Sequence, residues 1–179
     1  MRPSLGYRLS LECDTSRSSR KMVLFLNFDG VLHPNAVQFD KNNHPFLYAP
    51  RHRLFESSNV LAEVVADFND LRLVLNTWWT YKVGFEESLR HLPSSLSSRV
   101  DGTILQHASF YPATPHRIEL ATDAAKNSAE QVLILDHADS RYPKCFLRLT
   151  LLLEPQIGLA DPRAVQALHR IVSRTTTQK

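Results

Sequence analysis

Cysteine is nearly absent. The 179 residues contain two, Cys13 and Cys145. Neither has a partner at Cys-x-x-Cys spacing, so no zinc knuckle or disulfide framework is indicated, and a reducing, cytoplasmic setting is expected. Long apolar runs are missing as well. Spanning a bilayer takes roughly 20 consecutive apolar residues, and the longest runs here, Met22 to Leu26 and Leu149 to Leu153, are strand-sized. No membrane association is expected. Charge of one sign does not dominate either: the formal net charge is +3 and the pI about 9.0. Much of the excess comes from Arg2, Arg8, Arg17, Arg20 and Lys21, so the remainder is nearly balanced. Nucleic-acid binding is permitted by that balance but not indicated.

Residues 1–21 lack the apolar stretch of a secretory signal, and Glu12 and Asp14 count against a transit peptide. They read as a disordered basic tail, leaving residues 22–175 as one domain. Val23 to Leu26 is a short, continuous apolar strand, the pattern of a parallel sheet buried on both faces. Gly30 breaks it. Val37 to Phe39 and Phe46 to Tyr48 are spaced to pair as a hairpin. Leu54 to Phe68 carries apolar residues at helical spacing. Leu71 to Leu75 is a second buried strand, Phe85 to Leu92 a short helix, Ser94 to Ser98 a loop and Val100 to Leu105 a weak strand. Thr114-Pro115 opens a helix through Lys126. Val132 to Leu135 and Phe146 to Leu153 read as further strands, and Asp161-Pro162 starts a last helix through Val172. Alternating strands and helices predict an α/β fold: a three-layer, Rossmann-like open parallel sheet of about five strands. Such sheets bind ligands beyond the carboxyl ends of the strands, where strand order reverses. The polar residues ending the strands are therefore the candidates: Asn27 and Asp29, Asn76 and Thr77, and Asp136.

The segment Leu24-Phe25-Leu26-Asn27-Phe28-Asp29-Gly30-Val31-Leu32-His33-Pro34 resembles the first motif of haloacid dehalogenase-like (HAD) phosphatases. More narrowly, it resembles the small capless HAD domains of Swiss Army Knife RNA repair proteins. Other segments agree in order: Leu73 to Thr80 with the strand ending in a hydroxyl residue before Trp-Arg, His116 to Leu120 with a basic-x-x-Glu-Ile segment, and Leu133 to His137 with Leu-Asp-Asp. Gly158-Leu159 resembles a Gly-Leu near the family's end. The resemblance implies a capless HAD fold. It also implies a chemistry in which a first-strand aspartate attacks phosphorus and an aspartate two residues later serves as acid and base. Acids of the first and fourth motifs hold Mg²⁺. A hydroxyl and a basic residue bind the phosphoryl oxygens.

The chain departs from that pattern. Asn27 stands at the nucleophile position, and a neutral amide cannot form an acyl phosphate. Losing a nucleophile costs on the order of 10⁶ in turnover in another covalent enzyme. His137 replaces the second fourth-motif acid and Thr80 the usual arginine. These coincident changes point to natural divergence rather than one introduced substitution. The resemblance then assigns Asn27 and Asp29 to the catalytic positions and Thr77, Asn76, His116 and Arg117 to phosphate binding. Asp136, with Asp139, Asn27 and Asp29, is left for a weakly held Mg²⁺. The expectation is a degenerate phosphatase that binds a phosphorylated ligand or a protein partner. One rival is an active Mg²⁺-dependent phosphoric ester hydrolase using Asp29. A second is an RNA-binding or repair accessory using the basic tail and Arg51 to Arg53. Trp78 and Trp79 read as core anchors, and His44, His52, His91 and His107 as scattered loop or surface residues.

Overall fold

The computed structural model describes residues 21–105 and 114–177. Most of the predicted tail, Cys13 and His107 lie outside them. The sheet grows from β1 (Met22–Leu26), whose five residues are all buried. An apolar strand of this kind needs cover on both faces, and it receives it as the middle strand of five. The others are β4 (Leu71–Leu75), β5 (Val100–Thr103), β6 (Gln131–His137) and β7 (Thr150–Leu153). All pair in parallel, in the order β5-β4-β1-β6-β7. Leu26 stands level with Leu75 on one side and Leu135 on the other. The chain builds outward from β1 through β4 to β5, then crosses back to β6, so strand order reverses at β1.

Alternate side chains of β1 point into two apolar layers. Leu24 and Leu26 pack with Leu61, Val64 and Val65 of α1 (Ser58–Ala66) and with Leu168 and Val172 of α6 (Pro162–Thr177). Val23 and Phe25 pack with Ile118 and Ala121 of α5 (Thr114–Asn127). A small antiparallel ribbon of β2 (Val37–Phe39) and β3 (Pro45–Leu47) follows the loop after β1. Two short helices, α2 (Trp79–Lys82) and α3 (Phe85–Arg90), follow β4. Among the described residues no helix is long and apolar enough to cross a membrane.

Several boundaries differ from the sequence reading, each for a local reason. The first helix begins at Ser58 rather than Leu54, because the backbone before it is spent elsewhere. The Ser57 N–H donates to Leu32 O at 2.9 Å and the Phe55 N–H to the His33 ring at 3.1 Å. Phe55 takes a φ of 58°, outside the helical region. Residues Phe146 to Leu149 are not strand but part of a 3₁₀ helix, Lys144–Leu149, set off by Pro143. Only Thr150–Leu153 joins the sheet. Ser94–Ser97 forms a helical turn, α4, rather than a loop, and buries Leu96. Strand β6 runs on to His137, so Asp136 lies inside the ladder.

Candidate functional site

Three strand ends meet at the reversal point. The Asn27 N–H donates to Leu135 O at 3.0 Å and the Asn76 N–H to Leu26 O at 2.8 Å. The first residues past β1 and β4 are thereby fixed beside Asp136 of β6. Asp136 is wholly buried, and its carboxylate accepts five hydrogen bonds. Oδ1 takes Asn27 Nδ2, the His137 N–H and Ser140 Oγ, each at 2.8 Å. Oδ2 takes Arg117 Nη1 and the Tyr142 hydroxyl, also at 2.8 Å. An ionised carboxylate has about four lone-pair sites, so its accepting capacity is used up.

The partners are tied to one another. Arg117, reaching in from α5, also donates to Asn76 O at 2.9 Å and to Ser140 Oγ at 3.1 Å. Asn76 Nδ2 donates to the Tyr142 oxygen at 3.0 Å. Burial alone would push the Asp136 carboxyl up, but the Arg117 charge and hydrogen bond outweigh it and hold the group below the usual carboxylate range. Burial likewise pulls the Arg117 guanidinium down, and Asp136 more than restores it. Burial, reinforced by the Asp136 charge, raises the Tyr142 phenol, so it keeps its proton and donates. His137 packs over Gly30, where an added Cβ would meet His137 Cβ at 2.6 Å. Burial lowers its imidazole despite the pull of Asp136, leaving it neutral at neutral pH. Asn76 Oδ1, Arg117 Nε and His137 Nδ1 are buried without a hydrogen-bond partner among the described residues.

A second, shallower cluster holds Asp29. Its Oδ1 accepts from His33 Nε2 and from Trp79 Nε1, both at 3.1 Å. His33 is buried, and its Nδ1 accepts the Phe55 N–H, so the neutral ring carries its proton on Nε2 and donates to Asp29. Phe28, Phe55, Trp79 and His33 pack edge-on or tilted around this pair. The Asp29 side chain is 17% exposed, and Oδ2 has no hydrogen-bond partner among the described residues.

The sequence candidates thus separate. Asn27, Asn76, Arg117 and Asp136 form one buried network. Asp29 stands at its mouth. Thr77 is buried and accepts the Trp79 N–H at 3.4 Å, while Thr80 donates to Thr77 O. His116 lies half-exposed, 3.5 Å from Glu119, and the basic residue that enters the network is its neighbour Arg117. Asp139 is exposed and makes no hydrogen bond to Asp136; Ser140 makes it instead. Ser140, Tyr142, His33, Phe55 and the Trp79 indole were not read as site residues. The polar run after β6 was the available signal for the first two.

As arranged, Asn27 and Asp136 do not fit Mg²⁺. A hard cation takes oxygen ligands, preferably anionic. Asp136 has no lone pair left, Asn27 turns its nitrogen toward it, and Asn27 Oδ1 accepts the Phe28 N–H at 2.9 Å.

A parallel α/β sheet with its polar strand ends grouped at the reversal of strand order defines a Rossmann-like domain. The family model for the HAD domain in Swiss Army Knife RNA repair proteins matches residues 23–176, and the chain belongs to that family. No curated protein and no solved structure matches it.

Proposed function

We propose that this HAD domain has lost phosphoryl transfer and acts by binding, through its open carboxyl-end face, to a protein partner. One observation carries the reading: Asn27 Nδ2 donates to Asp136 Oδ1 at 2.8 Å. The atom at the nucleophile position is a hydrogen-bond donor locked against a carboxylate, with no electron pair to offer phosphorus. A protein partner is favoured over a phosphorylated ligand because Arg117 is 1% exposed and engaged with Asp136, Asn76 and Ser140. It has no reach to a phosphate outside.

The test is hydrolysis of an aryl phosphate in Mg²⁺ by the unmodified chain and by Asn27→Asp. The unmodified chain is expected to be inert and to trap no phosphoenzyme. Steady turnover by it would sink the reading.

The geometry of Asp29 favours one alternative. Its Oδ1 is pinned by two buried donors and its Oδ2 is unpartnered among the described residues, an arrangement suited to a general base on water. Under that reading Asp29→Asn abolishes turnover and Asn27→Ala barely changes it. Under the first reading there is no turnover to lose.

A further inference from the structure

The Asn27 amide nitrogen carries two hydrogens and places both on oxygens. One goes to the Asp29 backbone carbonyl at 2.9 Å, the other to Asp136 Oδ1 at 2.8 Å. These acceptors belong to the loop after β1 and to β6, and they converge on one point in space. The Asn27 amide nitrogen stands at that point. The amide orientation is set by its surroundings: Oδ1 accepts the Phe28 N–H at 2.9 Å. Turning the amide over would face its oxygen to a carbonyl and a carboxylate, and its nitrogen to an N–H.

A carbonyl and a carboxylate are the oxygen types that a small hard cation takes. The charge count says why no cation is needed here. Asp136 contributes one negative charge, Arg117 at 2.8 Å contributes one positive charge, and Asn27 contributes none. The buried group is neutral as it stands. An aspartate at position 27 would put a second carboxylate against Asp136, and such a pair tolerates burial only with a proton or a cation between its members.

We infer that the Asn27 amide occupies the place of a divalent cation, that the folded chain binds none there, and that residue 27 decides whether the fold depends on one. The inference concerns the ion and not turnover, and it stands whether or not Asp29 activates water.

The experiment is thermal unfolding of the full chain in EDTA and in millimolar MgCl₂, with calorimetric titration of MgCl₂ into the folded protein. The unmodified chain is expected to melt at one temperature in both buffers and to give no saturable heat. Asn27→Asp should melt roughly 5–10 °C lower in EDTA and regain most of that loss in MgCl₂. Asn27→Ala, which unpairs the two oxygens without adding charge, should melt lower in both buffers alike. Saturable one-to-one Mg²⁺ binding by the unmodified chain overturns the inference, as does an Asn27→Asp variant that melts with the unmodified chain in EDTA. Should Asn27→Asp yield no folded protein, the titration of the unmodified chain decides alone. The same samples separate this inference from the functional proposal. Turnover in EDTA by the unmodified chain defeats the proposal and spares the inference. Saturable Mg²⁺ binding without turnover does the reverse.

Discussion

The backbone N–H of Phe55 donates to His33 Nδ1 at 3.1 Å, and Phe55 holds a φ of 58° where it does so. A bulky residue in the left-handed region is strained by about 1–3 kcal/mol. That strain is held by the Phe55 ring, packed edge-on against Phe28, His33 and Trp79. The result is a chain of fixed donors, from Phe55 through His33 to Asp29. Replacing His33 by Leu would leave the Phe55 N–H without its acceptor and remove one of the two donors to Asp29. The expected loss is about 2–4 kcal/mol in urea unfolding. A loss below about 0.5 kcal/mol would mean that the strained turn does not depend on the imidazole.

Glycine substitutions should separate a forced backbone from an open one. Gly158 has a φ of 57°, and a Cβ there would meet Val31 O at 2.4 Å, where the Leu159 N–H already reaches that carbonyl at 2.9 Å. Gly158→Ala should cost at least about 2 kcal/mol. Gly102 in β5 has nothing within 4 Å of an added Cβ and no positive φ. Gly102→Ala should be neutral or gain up to about 1 kcal/mol from the lower entropy of the unfolded chain. Equal effects at the two positions, read from urea midpoints, would contradict the close approach at Val31.

The buried pair of Arg117 and Asp136 should show strong non-additivity. Arg117→Met strands a carboxylate with 0% exposure and is expected to cost about 3–5 kcal/mol. Adding Asp136→Asn should return part of that loss, because the stranded charge is then gone. A double variant whose loss is the sum of the two singles would rule out direct coupling.

Acid should weaken the fold in two stages. Burial holds the His137 imidazole below its ordinary value, and burial does the same to half-buried His91. The unfolded chain therefore takes up protons near pH 6.5 that the folded chain refuses. Stability is complete above about pH 6.5 and falls as the pH drops toward the folded values, by up to about 1.4 kcal/mol per pH unit for one imidazole. Asp136, held low by Arg117 against the opposing effect of its burial, adds a contribution that is present above about pH 4 and lost in stronger acid. Urea midpoints between about pH 7.5 and 5.5 should slope downward in the unmodified chain and less steeply in His137→Gln. Parallel slopes would show that His137 titrates alike in both states.

The three inner strands of the sheet were legible from their apolar runs. Val23 to Leu26 and Val132 to Leu135 are continuous apolar runs, and Leu71 to Leu75 is broken only by Arg72, so all three read as strands. Phe146 to Leu149 were also read as strand from their three apolar residues, but apolarity alone does not separate an extended segment from a 3₁₀ helix. The strand-end candidates were legible because topology places polar residues there. What those residues do to one another was not. Nothing in the spacing says that Arg117 rather than His116 turns inward, since that depends on which face of α5 meets the sheet. Nor does it say that Ser140 and Tyr142, a few residues past Asp136, fold back onto its carboxylate. Trp79 was legible as a core anchor, and it is fully buried. That its indole N–H also holds Asp29 depends on the short helix α2, which the sequence reading lacked.

Asparagine and aspartate codons differ by a single base, so one point mutation exchanges the two at position 27. An aspartate there would lose the two hydrogen bonds that the Asn27 amide donates to Asp29 O and Asp136 Oδ1, and would recover the lost stability only where Mg²⁺ is at hand. That one exchange would trade a fold indifferent to divalent ions for one tied to the metal content of its surroundings.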